Sequence, residues 1–306
     1  MKRTVLLLLS VCVCVFVLSG CQGYREIDSE YLVSAIGFDK SDKKFKVYCE
    51  VLAIATDERD SESKVFSASG STPYEAVGRI NALMPKTAVF DHCGTALISE
   101  NLEGKDLKTV FDYLYDTKNL NLGIHLFVCE DIKELLSCDS QALSVGYDIM
   151  SVGTNIQKTT GISFKNKFYE IESRIISTGG FCVPQAQSVS DRPAIKGQTV
   201  FANYEPVITL DGNDAEIYNI LFSGSSGGAI SVSGERCRVN RITSDLEVKN
   251  GTLLVKIRCV YRHSEDSKSE EIRGEIESLI NNFSGTKALI PLGIKNDIKA
   301  LNVEVN

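Results

Sequence analysis

The chain has 306 residues, of which 43% are apolar and 24% are charged. At roughly 150 residues per domain, this length predicts about two globular domains, and the composition excludes wholesale disorder and collagen-like repetition. The formal net charge is -7, from 33 Lys plus Arg against 40 Asp plus Glu. Because proteins that neutralise phosphates carry an overall basic footprint, we expect no nucleic-acid partner.

The first twenty residues have the layout of a secretory signal peptide. Lys2 and Arg3 form a short basic segment, and the uncharged stretch 5–18 is shorter than the ~20 residues that span a bilayer. Leu18-Ser19-Gly20-Cys21 follows, and two small residues before a cysteine resemble a bacterial lipoprotein signal-peptidase site. We therefore expect residues 1–20 to be removed and Cys21 to carry lipid. An ordinary cleaved signal, with Cys21 as an unmodified thiol, is the alternative.

A diacylglyceryl group on Cys21 would hold the protein on a membrane. At ~0.8 kcal/mol per buried CH2, two or more acyl chains anchor a protein stably where one chain does so only marginally. No later window has the long apolar run of a transmembrane helix. We therefore expect everything after Cys21 to lie on the outer side of the bilayer.

Cysteine and histidine spacing gives no sign of a metal site. The sequence after Cys21 has no C-x-x-C pair, and His92, His125 and His263 are the only histidines. We expect no metal and no cofactor. Several remaining cysteines fall in strand-like apolar runs, which favours reduced, buried thiols over disulfides, although pairing stays open. These cysteines are Cys49, Cys93, Cys129, Cys138, Cys182, Cys237 and Cys259.

The first part of the exported chain mixes predicted strands and helices. Runs rich in β-branched and aromatic residues predict extended segments at residues 31–39, 45–55, 65–69, 88–99 and 123–129. Apolar residues at helical spacing predict helices at residues 72–84, 107–115, 131–137, 142–150 and 168–176. The best defined of these helices begins with Thr72 as N-cap, Pro73 at the first position and Glu75 at the capping-box position.

The second part is separated by a segment without clear periodicity. Residues 183–193 contain two prolines and are mostly polar, which predicts a linker between domains. Beyond it, residues 198–210 are strand-like, and residues 242–248 and 253–261 flank Asn250-Gly251, a pair suited to a hairpin turn. Residues 270–282 have helical spacing.

These elements predict an α+β fold with two or three mixed α/β domains, built on largely antiparallel or mixed sheets after a cleaved lipoprotein signal peptide. The predicted division is a signal peptide at residues 1–20, an N-terminal domain at 21–192 and a shortened C-terminal domain at 193–306.

Three local motifs suggest chemistry, each against a plainer interpretation. Gly224-Ser225-Ser226-Gly227-Gly228 fits the G-x-S-x-G pattern, and Asp245 or Asp266 with His263 would complete a triad centred on Ser226. The loop leads into a predicted strand rather than a helix, so a flexible loop is favoured. Asp91-His92 lacks a neighbouring nucleophile, which favours a structural histidine. Residues 211–214 fail the calcium-loop spacing and predict a turn.

A basic pattern marks the predicted C-terminal hairpin. Arg236, Arg238, Lys256 and Arg258 alternate with apolar residues, so period two places the charges on one face of the strands. Such a face on an acidic protein suits anionic lipid or an acidic partner loop, although solvated strands also commonly carry Lys and Arg.

Several of these segments stand in an informative order. They are Tyr24-Arg25-Glu26-Ile27 after the lipobox, residues 33–39, residues 91–98, Phe168-Tyr169-Glu170-Ile171 with Gly179-Gly180 and Pro184, residues 195–201, and residues 223–228. In this order they resemble the Ger(x)C family, the C-subunit lipoproteins of spore germination receptors. The family usually continues through a longer helical region with a tryptophan-bearing segment. Here the predicted helix at residues 270–282 is soon followed by residues 287–306, and the chain has no Trp, so we expect its last sub-domain to be shortened.

The resemblance implies a lipid-anchored, non-catalytic subunit of a nutrient-sensing germination receptor. It also implies membrane-embedded receptor subunits as partners and a place on the spore inner membrane. The residue it assigns is the lipid-bearing Cys21, with no catalytic residue. The alternatives are a solute-binding lipoprotein of a transporter, disfavoured because such two-lobed proteins use largely parallel sheets, and a serine hydrolase acting through Ser226.

Overall fold

The structure is a computed structural model that describes residues 3, 30–53, 63–118, 120–160, 164–211, 214–215, 218–219, 228–232, 235–249, 252–261, 268–281 and 300–305. Cys21 and nearly all of the predicted signal peptide lie outside these ranges. Among the described helices, none is both long and apolar enough to cross a membrane.

Nine described strands form a main sheet. They are β1 (Glu30–Ser41), β2 (Lys44–Ala53), β3 (Ser63–Gly70), β4 (Thr87–Val89), β5 (Thr95–Ser99), β6 (His125–Cys129), β7 (Gly180–Val189), β8 (Arg192–Ala202) and β9 (Glu205–Asp211). The order is β3-β2-β1-β5-β6-β7-β8-β9, with β4 also paired to β1. The pairs among β1, β4, β5, β6 and β7 are parallel, and the hairpin pairs are antiparallel. The sheet is therefore mixed, as expected.

The described helices are α1 (Pro73–Leu83), α2 (Gly104–Asp116), α3 (Ile132–Leu135), α4 (Val145–Thr160), α5 (Phe168–Thr178) and α6 (Ser269–Asn281). Two apolar clusters flank the main sheet. One includes residues of α1, α2 and α5, and the other includes residues of α3 and α4. Successive residues of a strand point to opposite faces of the sheet. Because apolar clusters cover both faces, the central strand β5 is buried along its whole length. The α+β fold class is confirmed.

Helix α1 begins where its sequence predicts. The Glu75 backbone N–H donates to Thr72 Oγ1 at 3.2 Å, which satisfies one of the orphan donors of the first turn. The Glu75 carboxylate accepts from the backbone N–H of Ser71 at 2.7 Å, one residue before the position of a standard capping box. Helix α5 ends at Gly179, whose φ of 77° is the left-handed conformation that glycine adopts without steric cost.

The predicted linker at residues 183–193 is wrong, because this segment is part of a β-hairpin. Strands β7 and β8 pair antiparallel, and Ser190 and Asp191 form the two-residue turn with φ of 51° and 61°. Both turn residues have positive φ, as type I′ turns require. Pro184 is accommodated because the only β6–β7 pairing among the described residues is Val128 with Gln185.

The main sheet continues through β8 and β9, so it crosses the predicted domain boundary at residue 193. The division into two domains at that position remains a prediction.

Four further strands form a second sheet. They are β10 (Gly228–Val232), β11 (Glu235–Lys249), β12 (Thr252–Tyr261) and β13 (Ala300–Val305), paired in that order. Strands β11 and β12 form the predicted hairpin, in which Lys249 pairs with Thr252. Helix α6 contacts β10 and β13, and its residues Ile272 and Ile276 are fully buried. The second sheet is therefore covered by a helix on one face.

Candidate functional site

The most completely built polar site in the described chain surrounds Glu50, a fully buried glutamate in strand β2. Its Oε1 atom accepts from the backbone N–H of Val145 at 2.8 Å, and its Oε2 atom accepts from that of Gly146 at 2.9 Å. The Ser34 hydroxyl donates to Oε2 at 2.9 Å. A buried carboxylate costs free energy unless it is hydrogen-bonded, and here two donors are the orphan amides of a helix N-terminus.

A bulge in strand β1 brings Ser34 to this site. The β1–β2 register shifts between Val33 and Ala35, so Ser34 is the extra residue. Bulges bend a strand and re-aim a side chain. The Ser34 carbonyl also accepts from the backbone N–H of Gly94 at 3.1 Å, which ties the same bulge to the entry of strand β5.

The first turn of helix α4 fits closely against the sheet. A Cβ atom at Gly146 would lie 2.7 Å from the Ala35 Cβ and 3.1 Å from Glu50 Oε2, so glycine is required there. The Thr95 hydroxyl donates to the Gly146 carbonyl at 2.7 Å. The negative charge of Glu50 is also favoured at the positive end of the helix dipole. Together these contacts fix the start of α4.

The arrangement serves positioning rather than reaction. Glu50 has no solvent exposure, and its oxygens are engaged by three donors, so it is not presented to a solute. Helix α4 contacts strand β8 of the main sheet and strand β10 of the second sheet. Glu50 therefore fixes the helix that lies between the two sheets. Sequence reasoning missed this residue, although a charged residue within an apolar strand was an available signal.

Asp91 and His92 lie in the turn between β4 and β5, and both side chains are exposed. The Tyr147 hydroxyl donates to the His92 carbonyl at 3.2 Å, so the backbone of this turn, rather than the imidazole, is attached to α4. No nucleophile is brought to His92 among the contacts described. The turn thus has a structural link to the Glu50 site.

His125, which the sequence did not single out, is the more buried histidine. Its Nδ1 lies 3.1 Å from Asn166 Oδ1, and the Asn166 amide donates to the Leu126 carbonyl at 2.8 Å. Burial lowers the pKa of His125 below its ordinary 6.5 because the charged imidazole loses hydration. A cavity of about 20 Å³ beside it has room for about one water molecule.

A larger cleft of about 430 Å³ lies where strands β6 and β7 lead towards α3. Its lining includes Glu130, Asp131 and Glu134, whose side chains are exposed. Within the described ranges, no group of three or more His, Cys, Asp or Glu residues is placed to hold a metal ion. The cleft is acidic, but its carboxylates are not gathered around one point.

Five of the predicted buried thiols are found as such in the structure: Cys49, Cys93, Cys129, Cys138 and Cys182 are buried and not in disulfides. Burial raises the pKa of the Cys49 thiol to about 12, because the thiolate would be desolvated. Desolvation likewise raises the pKa of Cys93, Cys129 and Cys182. These thiols act as small apolar groups in the core.

The remaining predicted site residues are only partly described. Ser226, His263 and Asp266 lie outside the described residues, as do the central residues 212–213 of the predicted turn, and Asp245 is exposed on β11. On β12, Lys256 and Arg258 are exposed, whereas Val255, Ile257 and Cys259 are buried. The predicted period-two pattern is thus confirmed on this strand.

Comparison with known proteins identifies the family of this chain. Among solved structures, the chain is similar to a crystal structure of the GerBC protein, with 9% sequence identity, a TM-score of 0.43, and coverage of 88% of this chain and 95% of that chain. No match was found among curated proteins. The family model described as the spore germination protein N-terminal domain matches residues 23–187. This match spans more than half of the chain, and the chain therefore belongs to the Ger(x)C family, the C-subunits of spore germination receptors.

Proposed function

We propose that the protein is a lipid-anchored, non-catalytic subunit of a nutrient-sensing germination receptor. It is held on the outer leaflet of the spore inner membrane through Cys21 and acts through contacts with membrane-embedded receptor subunits. The observation that carries the proposal is the family match over residues 23–187, which begins just after the predicted lipid-bearing cysteine.

The described polar groups support a role in protein contacts rather than catalysis. The Glu50 carboxylate is closed off by its three donors, and the exposed His92 has no nucleophile beside it among the described residues. Catalytic groups need mutual geometry as well as suitable residue types. The two sheets and their helices therefore serve as surfaces and spacers.

A tether at Cys21 would keep the folded body close to the bilayer. Residues 22–29 separate Cys21 from strand β1. Even fully extended, a segment of this length spans at most about 30 Å. Such a tether raises the effective concentration of the subunit near its membrane partners, so weak contacts suffice to hold the complex.

The experiment that tests this proposal replaces Cys21 with Ala in sporulating cells. The expected result is loss of the chain from the spore membrane fraction and loss or slowing of nutrient-triggered germination. The control is Cys14→Ala, because Cys14 would leave with the signal peptide and its replacement should change neither readout.

The alternative functions give different outcomes. Loss of membrane attachment with germination intact under every nutrient tried, together with reduced uptake of a solute, would support a solute-binding lipoprotein of a transporter. Unchanged membrane attachment in the Cys21→Ala variant would contradict the lipid anchor itself.

A further inference from the structure

The second sheet has one covered face and one open face. On β12, Val255, Ile257 and Cys259 are buried on one face, whereas Lys256 and Arg258 on the opposite face are exposed. Val260, on this same open face, is 46% exposed. The open face therefore combines charge with an accessible apolar side chain.

The register of strand β11 adds further basic positions to this face. Arg241 pairs with Val260 and is exposed, so it belongs to the open face. The register shifts between Val239 and Arg241. This bulge reverses the alternation, so Arg236 and Arg238, which precede it, also occupy open-face positions. We call the positions Arg236, Arg238, Arg241, Lys256 and Arg258 the basic face.

The positive charge is concentrated towards one end of the open face. Asp245, Glu247 and Glu304 occupy the same face, opposite or beside Lys256. The four arginines lie beyond them, at the end nearer β10. In the register, these arginines pair with uncharged residues, namely Ser231, Ala229, Val260 and Thr243, so no acidic residue stands directly opposite them.

Arg241 and Arg258 lie away from the acidic positions of this face, whereas Lys256 is paired in register with Asp245 and Glu304. Elsewhere in the described chain, Lys40, Arg79 and Lys108 form ion pairs with Asp106, Glu75 and Asp112. Within the same described ranges, Arg241, Lys256 and Arg258 form no hydrogen bond or ion pair through their side chains. The charges of Arg241 and Arg258 are therefore available to a ligand.

We infer that the basic face binds the headgroups of anionic membrane lipids. The chain has a net charge of -7, so an anionic bilayer repels most of its surface. The basic face is the part of the surface that such a bilayer attracts. A four-stranded sheet with one open face presents a broad surface rather than a groove, which fits a bilayer better than a peptide segment. The inference rests on the proposed function, because the tether at Cys21 brings the basic face to the membrane. Binding of this face to the lipid headgroups then orients the folded chain on the membrane surface.

The test measures how much of the protein, expressed from residue 21 onwards, sediments together with lipid vesicles. The protein carries Cys21→Ala so that no covalently attached lipid contributes to the binding. The probes are vesicles of phosphatidylglycerol with phosphatidylcholine, and vesicles of phosphatidylcholine alone. We expect binding to the anionic vesicles at low salt, loss of binding at high salt, and little binding to the neutral vesicles. The triple substitution Arg241→Gln, Lys256→Gln and Arg258→Gln should weaken partitioning about a hundredfold, at about fivefold for each basic side chain near the surface.

A matched triple variant removes the same charge elsewhere. Lys64→Gln, Lys105→Gln and Lys133→Gln alter exposed residues outside the basic face and should leave partitioning within about twofold of the parent. Equal loss in both triple variants, or equal binding to anionic and neutral vesicles, would overturn the inference. A third outcome is that the Arg241, Lys256 and Arg258 variant still binds vesicles but no longer co-purifies with receptor subunits. This outcome would overturn lipid binding and assign the basic face to an acidic protein partner.

Vesicle binding is measured without the lipid on Cys21. Absence of vesicle binding would therefore overturn the lipid-headgroup inference without changing the expected germination phenotype of Cys21→Ala. The two proposals can thus be rejected independently of each other.

Discussion

The Glu50 carboxylate accepts a hydrogen bond of 2.9 Å from the backbone N–H of Gly146, 96 residues further along the chain. This contact joins an early strand of the main sheet to the first turn of helix α4. Because α4 also contacts strand β10, the position of the second sheet depends on a helix that Glu50 holds in place.

Replacing Glu50 with Gln is expected to destabilise the protein by about 2 to 3 kcal/mol, because the amide loses the negative charge and turns an NH2 group towards backbone N–H donors. Denaturant unfolding followed by circular dichroism measures the change. Hydrogen exchange in the first turns of α4 should also become faster. Glu134→Gln, at an exposed position, is the control. Equal stability of the Glu50 variant and the parent would show that the carboxylate contributes no net stabilisation.

Gly146→Ala should destabilise the protein, because the new methyl group would lie 2.7 Å from the Ala35 Cβ. The matched substitution is Gly78→Ala in α1, where nothing lies within 4 Å of the added Cβ. There, alanine should stabilise the helix by up to about 1 kcal/mol. Thermal unfolding of the two variants should therefore shift in opposite directions. Shifts of the same sign would contradict the close approach of α4 to β1.

The stability of the protein should fall in mild acid through His125. Burial lowers its pKa below 6.5, so the unfolded chain takes up this proton at a higher pH than the folded chain. At a pH above the pKa of His125 in the unfolded chain, the neutral ring makes its full contribution to the free energy of unfolding. This contribution decreases as the pH falls towards the pKa of His125 in the folded protein. In His125→Gln, unfolding between about pH 7 and about pH 5 should depend less on pH. Equal pH dependence of unfolding in His125→Gln and in the parent would exclude His125 as the cause.

The buried thiols should resist alkylation in the folded protein. Because burial raises the pKa of Cys49 to about 12 and also raises the pKa of Cys129 and Cys182, almost no thiolate is present at neutral pH. N-ethylmaleimide should label these residues only after denaturation, as read by peptide mass spectrometry. Ser67→Cys introduces a thiol at an exposed position and should label in the folded state. Rapid labelling of Cys49 in the native protein would contradict its burial.

Local patterns were sufficient to predict much of the fold. Helix α1 begins at Pro73 because Thr72 and Glu75 supply its cap, and these are signals within one turn of the chain. The β11–β12 hairpin was similarly visible because apolar alternation flanks Asn250-Gly251. In both cases the physical cause and the sequence signal lie within a few residues of each other.

Features that depend on distant partners were not predictable in this way. The turn at Ser190-Asp191 has positive φ at both residues without a glycine, so the prolines around it suggested a linker rather than a hairpin. The sequence did not single out Glu50, because the amides that satisfy its carboxylate belong to a helix 95 or more residues away. The cleft beside Glu130 likewise depends on α3 and β7 meeting in space.

The central claim is that this chain is a subunit of a membrane-bound germination receptor. The most direct measurement is mass spectrometry of the proteins that co-purify with an affinity-tagged chain from detergent-solubilised spore membranes after mild crosslinking. The account predicts that membrane-embedded germination receptor subunits are recovered with the tagged chain, and that Cys21→Ala reduces their recovery. Recovery of a solute transporter without receptor subunits, under conditions that preserve the other receptor complexes, would contradict it.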